Sequence, residues 1–333
     1  MPLSENKQTN ETAGNLVKTL KGAFGTPPGY RVAHARGRIA SGTFTPTSEA
    51  ASLSKAQHFH NETPVIVRFS SSTGIPNIPD NDPNSMPRGI AVRFVLSDDG
   101  HKHTDIIAHS TPHFPTRTGE GFLSMLQAIG NGTIGKFLED TPSAAAFVQE
   151  PKPFPVSFGT EKYYGLNAFE FLSEEGKSTF VRYLVVPVVG LQTLSDAAIK
   201  DKSDSYLFDE LADRLAKEPI EFKYIAQIAE EGDPTDDVTK HWPADRKQVE
   251  LGTIKLDKIE TQPESLGHEK KIIFDPIPRV DGIQPSDDPL LDMRATVYII
   301  GGKERRAAPE VKEVNGVNGV DKANVDDAAL KAA

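Results

Sequence analysis

The sequence predicts an α+β protein built on an antiparallel β-sheet or barrel, with a few helices and long loops around it. Three observations carry that expectation: several short segments alternate apolar and polar residues at period two, turn residues rather than helices separate most of them, and 25 prolines punctuate the chain. In chain order, residues 15–24 place apolar side chains at helical spacing. Residues 64–70 (PVIVRFS), 88–96 (RGIAVRFVL) and 104–108 put β-branched or aromatic residues at alternate positions and read as strands. Residues 119–129 return to the helical period. Then 169–172 and 180–189 read as strands, 193–200 and 209–217 as helices, and 221–229 and 251–261 as strands. Prolines crowd around 75–87 and 111–155. This predicts long ordered loops, which in a compact domain commonly cover a bound group.

A chain of 333 residues can bury a full core. Residues 1–20 are polar and read as a mobile segment, 21–306 as the core, and 307–333, which contain no aromatic residue and a small Val-Asn-Gly duplication, as a disordered tail. With 37 basic and 47 acidic residues the net charge is −10, which argues against nucleic acid as a partner. The absence of Cys excludes a thiol nucleophile, a thiolate-ligated haem, a cysteinyl cluster and a disulfide framework. No stretch is apolar enough to span a bilayer, the first residues lack a secretory pattern, and DDAALKAA carries no peroxisomal address, so the expected compartment is the cytoplasm.

Any metal or cofactor must therefore be held by His, Tyr, Met, carboxylates or non-covalent contacts. His101 and His103, in GHKHTD, could share one strand face as cupin-type ligands do, but only Asp105 follows where a Glu is wanted. His109 and His113 have helical spacing, yet Pro112 lies between them and no Glu is near. For His58, His60, His101, His241 and His268 a surface or satisfied loop position is the plainer expectation. His34, in YRVAHARGRIASGTF, could equally be a structural hydrogen-bonding residue. Arg294 and Tyr298 are four residues apart, a spacing that on a helix brings a guanidinium beside a phenol ring, although an ordinary helix face would look the same.

Taken together, these segments resemble the haem catalases. Arg31, Val32, His34, Ala35, Gly37, Ala40, Gly42 and Phe44 match the family's distal signature in register. TPVIVRFSSSTG, MPRGIAVRF, TDIIAHSTPHF, VTKHWPADRKQVELGTIKL and KIIFDPIPRVDGIQPSDDPLLDMRATVYIIGGKERR resemble further family segments in the same order, covering most of residues 25–306. The length fits the short catalase-related peroxidases, a catalase core with little else. The resemblance implies a barrel of the catalase type and haem b as cofactor. It implies Tyr298 as the ligand to the iron through its phenolate, supported by Arg294, with Arg31, Arg68 and Arg305 at the propionates. Phe122 would stack over the distal face, and Ser70 would orient the His34 imidazole, which takes and returns the peroxide proton.

Three departures from the family pattern matter. Catalases carry Asn where this chain has His109, a bulkier group that can also be protonated. The expected function is therefore a peroxidase acting on hydrogen peroxide or a small organic hydroperoxide with an organic reductant, and weak or absent catalase activity. Ala33 replaces a β-branched residue, and Gly302 and Glu304 stand where many catalases carry His. Alternative readings are a converter of fatty-acid hydroperoxides like the allene oxide synthases, a haem-binding protein without turnover, and the cupin-like metal enzyme. The short chain points to a homodimer rather than a larger assembly.

Overall fold

The computed structural model describes residues 2–310. Its framework is a closed antiparallel barrel of eight strands: β1 (Gly37–Pro46), β2 (Thr63–Ser70), β3 (Gly89–Val95), β4 (His103–His109), β5 (Tyr163–Leu172), β6 (Ser178–Pro187), β7 (Ile220–Ile228) and β8 (Gln248–Ile259). Each strand pairs with the next, β8 returns to β1, and β4 meets β5 at His109 and Tyr164, which closes the ring and removes free edges. A ninth strand, β9 (Ile283–Pro285), adds to the far end of β5. The barrel interior is filled by one face of each strand, with Phe44, Phe69, Phe94, Phe171, Phe222 and Tyr224 fully enclosed. Their rings meet edge-on or tilted, the arrangement their quadrupoles favour.

Helices occupy the outside: α1 (Lys7–Phe24), α2 (Ser48–Leu53), α3 (Gly119–Gly130), α4 (Ile134–Asp140), α5 (Pro142–Gln149), α6 (Asp196–Lys200), α7 (Tyr206–Leu215), α8 (Gln262–Lys271) and α9 (Pro289–Ala307). None of the described helices is long and apolar enough to cross a membrane. Against the expectation of a mobile segment over 1–20, residues 7–24 form α1. Asn6 caps it by accepting from the Gln8 and Thr9 amides, Gly25 ends it in the left-handed conformation, and Ala13, Leu16, Val17, Leu20 and Phe24 form a buried stripe. The helical spacing read over 15–24 covers the apolar end of this stripe; the polar residues before it hid the first turns. α1 packs on α9 and α3, and their shared apolar cluster is separate from the barrel core. The expected tail lies outside the described residues from 311 onward; up to Ala307 the chain is still α9.

Candidate active site

Strand alternation builds one wall of the site. Val67 and Phe69 fill the barrel, so Arg68 and Ser70 point outward, joined on that face by Gly89 and Ala91 of β3 and Ile107 and His109 of β4. Register aligns them: Ser70 pairs with Gly89, and Gly89 with His109. The His34 ring fills the notch that glycine leaves. A Cβ at position 89 would lie 2.7 Å from Ser70 Oγ and 2.9 Å from His34 Nδ1. His34 Nδ1 itself lies 3.1 Å from Ser70 Oγ, which leaves Nε2 for the cavity.

His34 is held in place by its backbone as well. It adopts φ +56°, a left-handed conformation that costs a non-glycine residue roughly 1–3 kcal/mol. Arg68 Nη2 secures the turn by donating to the carbonyls of His34 and Ala35, at 2.8 and 3.4 Å. A side chain at Gly37 would collide with that guanidinium. Burial, and then the Arg68 charge, bring the His34 pKa down to about 4, against a smaller opposing effect of the Ser71 main chain. Burial and the neighbouring His34 and Arg294 bring His109 down to about 3. The expectation that His109 can be protonated is thereby corrected, because its site disfavours the cation and keeps the ring neutral near pH 7.

The facing wall is α9. Asp288 caps it, accepting from the Leu290 amide at 2.9 Å, and Arg294, Tyr298, Gly301 and Arg305 share its cavity-facing side. Arg294 Nη2 donates to Tyr298 Oη at 3.3 Å, with its Cζ 5.7 Å from the ring centroid. Arg294 Nη1 donates to Asn167 Oδ1 of β5, and Asn167 Nδ2 donates to Asp288 Oδ2 at 2.9 Å. The guanidinium beside the phenol is thus tied to the cap of its own helix. A Cβ at Gly301 would meet nothing closer than Val32 Cγ1 at 4.0 Å, so α9 leaves a flat opening there.

Three arginines gather at one edge of the cavity, around a buried carboxylate that the motifs did not reveal. Glu269 Oε2 accepts from Arg68 Nε at 2.6 Å and Arg31 Nη1 at 3.1 Å, while Oε1 accepts from Ser265 Oγ at 3.0 Å. Arg305 donates to the Glu269 and Ile272 carbonyls at 2.9 and 2.7 Å. Burial raises the Glu269 carboxyl pKa, but Arg68 and Arg31 more than offset this and hold it below the usual carboxylate range. Burial, and next Arg68, bring Arg305 down to about 10. Between the two walls the lining is apolar, with Phe24, Phe114, Phe122, Phe274, Met293 and Val297, around a volume of ≈ 300 Å³.

All the candidate residues read from the sequence, Arg31, His34, Arg68, Ser70, His109, Phe122, Arg294, Tyr298 and Arg305, line this one cavity. Phe122 lies on α3 against Phe114, centroids 5.0 Å apart. Glu269 and Asn167 escaped notice because their roles exist only through tertiary partners, and Thr111 because its role depends on how the neighbouring His109 ring is turned. His58, expected at the surface or in a loop, is instead 1% exposed among Phe44, Phe59 and Phe94. The cupin reading lacks ligands, since Asp105 is occupied by Arg93 at 2.8 and 2.7 Å. Among the described residues no group of His, Cys, Asp and Glu could hold a metal ion. Gly302 packs so closely on Ile273 that a Cβ would lie 2.3 Å from it, and Glu304 turns outward to Lys21 at 2.8 Å.

Comparison with known proteins gives a consistent result. The catalase family model matches residues 28–328. A catalase-related peroxidase of Mycolicibacterium paratuberculosis is 35% identical over 303 residues, covering 88% of this chain and 95% of the relative. One from Synechococcus elongatus is 32% identical over 310 residues, covering 89% of each. Catalase isozyme 2 of Hordeum vulgare is 28% identical over 295 residues, 80% of this chain and 58% of that one. In fold, the chain is similar to a fungal catalase (TM-score 0.74, 20% identity, 88% of this chain and 62% of that one) and to a bacterial catalase (TM-score 0.72, 23% identity, 96% and 65%).

Proposed function

Because the chain belongs to the catalase family and is an oxidoreductase acting on peroxide, we propose that it is a haem peroxidase. It would reduce hydrogen peroxide or small organic hydroperoxides with an organic reductant, and evolve little oxygen. The observation that carries this reading is the placement of His34, Ser70 and His109 across Gly89, opposite Tyr298 and Arg294.

The residues present fit a haem, taken as haem b from the resemblance to the catalases. Its two carboxylates suit Arg31, Arg68 and Arg305, its flat apolar body suits the lining and the opening at Gly301, and its iron suits the Tyr298 phenolate. Arg294 donates to that oxygen at 3.3 Å and so fixes where it sits. Bound haem would supply the redox chemistry.

The side chains handle the protons. With Nδ1 turned to Ser70 and the ring neutral above about pH 4, His34 Nε2 is free to accept the hydroperoxide proton. The resulting imidazolium returns a proton to the departing oxygen, which leaves as water or an alcohol. The apolar lining limits water around this exchange. His109, bulkier than the carboxamide it replaces, narrows the space for a second peroxide, which is the basis for expecting little oxygen.

Two measurements test the proposal. The absorption spectrum of the haem-loaded chain should change in its charge-transfer bands with Tyr298→Phe, and identical bands would refute phenolate ligation. Native protein given hydrogen peroxide should oxidise a dye but release little oxygen, and His109→Asn should raise the ratio of oxygen release to dye oxidation about tenfold, ~1.4 kcal/mol in relative barrier. Brisk oxygen release by the native protein would overturn the peroxidase assignment.

A further inference from the structure

Thr111 is fully buried two residues beyond His109, and both of its donors face one nitrogen. Its backbone N–H donates to His109 Nδ1 at 3.3 Å, and its hydroxyl Oγ1 lies 2.7 Å from the same atom. An amide N–H can only donate, so Nδ1 must be the accepting nitrogen. In a neutral imidazole the proton then resides on Nε2, the atom left to face the cavity. Burial keeps the ring neutral.

We propose that Thr111 is a positioning residue that fixes His109 as its Nε2–H tautomer, so that the site offers a hydroperoxide one acceptor, His34, and one donor, His109. The proposal rests on the peroxidase reading for its substrate and on the Thr111 geometry alone for the tautomer.

The pairing has a consequence for substrate class. An alkyl hydroperoxide has a single O–H, which His34 accepts, and its other contact must be made through oxygen lone pairs. A donor at His109 satisfies that need. The opposite tautomer would set two acceptors against one O–H, leaving a buried lone pair unmatched, whereas hydrogen peroxide has two O–H groups and tolerates either arrangement. The Thr111 lock therefore matters most for organic hydroperoxides.

Nitrogen-15 correlation spectra of histidine-labelled full chain, haem-free and loaded with diamagnetic zinc protoporphyrin, read the tautomer directly. The expected result is an accepting Nδ1 and a protonated Nε2 in both forms. Thr111→Val should weaken the tautomer preference about fivefold, as for loss of one neutral hydrogen bond, and Thr111→Ser should restore it. With haem bound, Thr111→Val should raise KM for cumene hydroperoxide about fivefold more than KM for hydrogen peroxide while kcat changes less. A protonated Nδ1 in the native chain overturns the proposal. So does a Thr111→Val chain with unchanged tautomer and unchanged KM ratio. If no hydroperoxide is turned over but the tautomer behaves as described, the lock stands and only the peroxidase reading falls.

Discussion

His58 shows what burial alone does to a histidine. Nothing in AQHFHNE marks it, yet it is buried against the Phe44, Phe59 and Phe94 rings with Nδ1 unpartnered. Burial, with His60 adding a little, brings its pKa from 6.5 down to about 3. Between those values the unfolded chain binds the proton and the folded chain does not, so stability rises with pH over that window. It is fully present above pH 6.5 and drains away as pH falls toward 3, in the same direction as His34 and His109. His58→Leu should therefore cost less than about 1.5 kcal/mol at pH 7, as a near-volume-conserving core change. It should also remove about 3 kcal/mol of the loss between pH 7 and pH 4. Urea unfolding at those two pH values checks this, and an undiminished acid loss in the variant would show that His58 does not hold its ring neutral.

α8 was the least legible element. QPESLGHEKK has no apolar stripe, and the residues it buries are Ser265 and Glu269, so periodicity gave no signal. The helix is held by polar contacts instead: the Ile39 amide donates to Ser265 Oγ at 3.0 Å, and Glu269 engages the arginines. β1 was hidden for a related reason, since GRIASGTFTP mixes Gly, Ser and Pro, and its pairing with β2 and β8 supplies what local propensity does not. The strands at 63–70, 89–95 and 103–109 were legible because one face had to fill the barrel, and their other face carried the motifs that located the site. The arginines were legible in the motifs, but the carboxylate among them was not. Three guanidinium groups and Glu269 leave two positive charges at that edge, matching the two carboxylates of a haem. Glu269→Ala should destabilise the haem-free chain by about 3–5 kcal/mol, because it strands buried charges. Glu269→Gln should cost about 1–3 kcal/mol yet tighten haem binding, since one opposing charge is gone. Unfolding curves and haem titrations read both effects, and weaker haem binding by Glu269→Gln would exclude that opposing role.

At the scale of the molecule, the site lies between two bodies of different cohesion. Its strand wall belongs to a closed barrel in which every strand has two partners and one aromatic core joins them. Its other side is a helical layer in which α1, α3 and α9 share a separate apolar cluster, with Leu16, Leu20 and Phe24 of α1 facing the cavity. α1 therefore closes the pocket without supporting the barrel. The chain's polar start, which suggested a mobile segment, supplies a wall whose attachment depends on that stripe, on Thr12 donating to Glu120 at 3.1 Å and on Lys21 with Glu304. Two buried carboxylates in the stripe, Leu16→Asp with Leu20→Asp, should detach the helix, because unpaired charges cannot remain in that cluster. The expected result is a chain that keeps its strand circular dichroism and a cooperative barrel transition while its haem affinity falls at least about 100-fold, ~2.7 kcal/mol. If the barrel transition is lost together with haem binding, α1 and the barrel are one cooperative unit. If both are unchanged, the helix is not a wall of the working pocket.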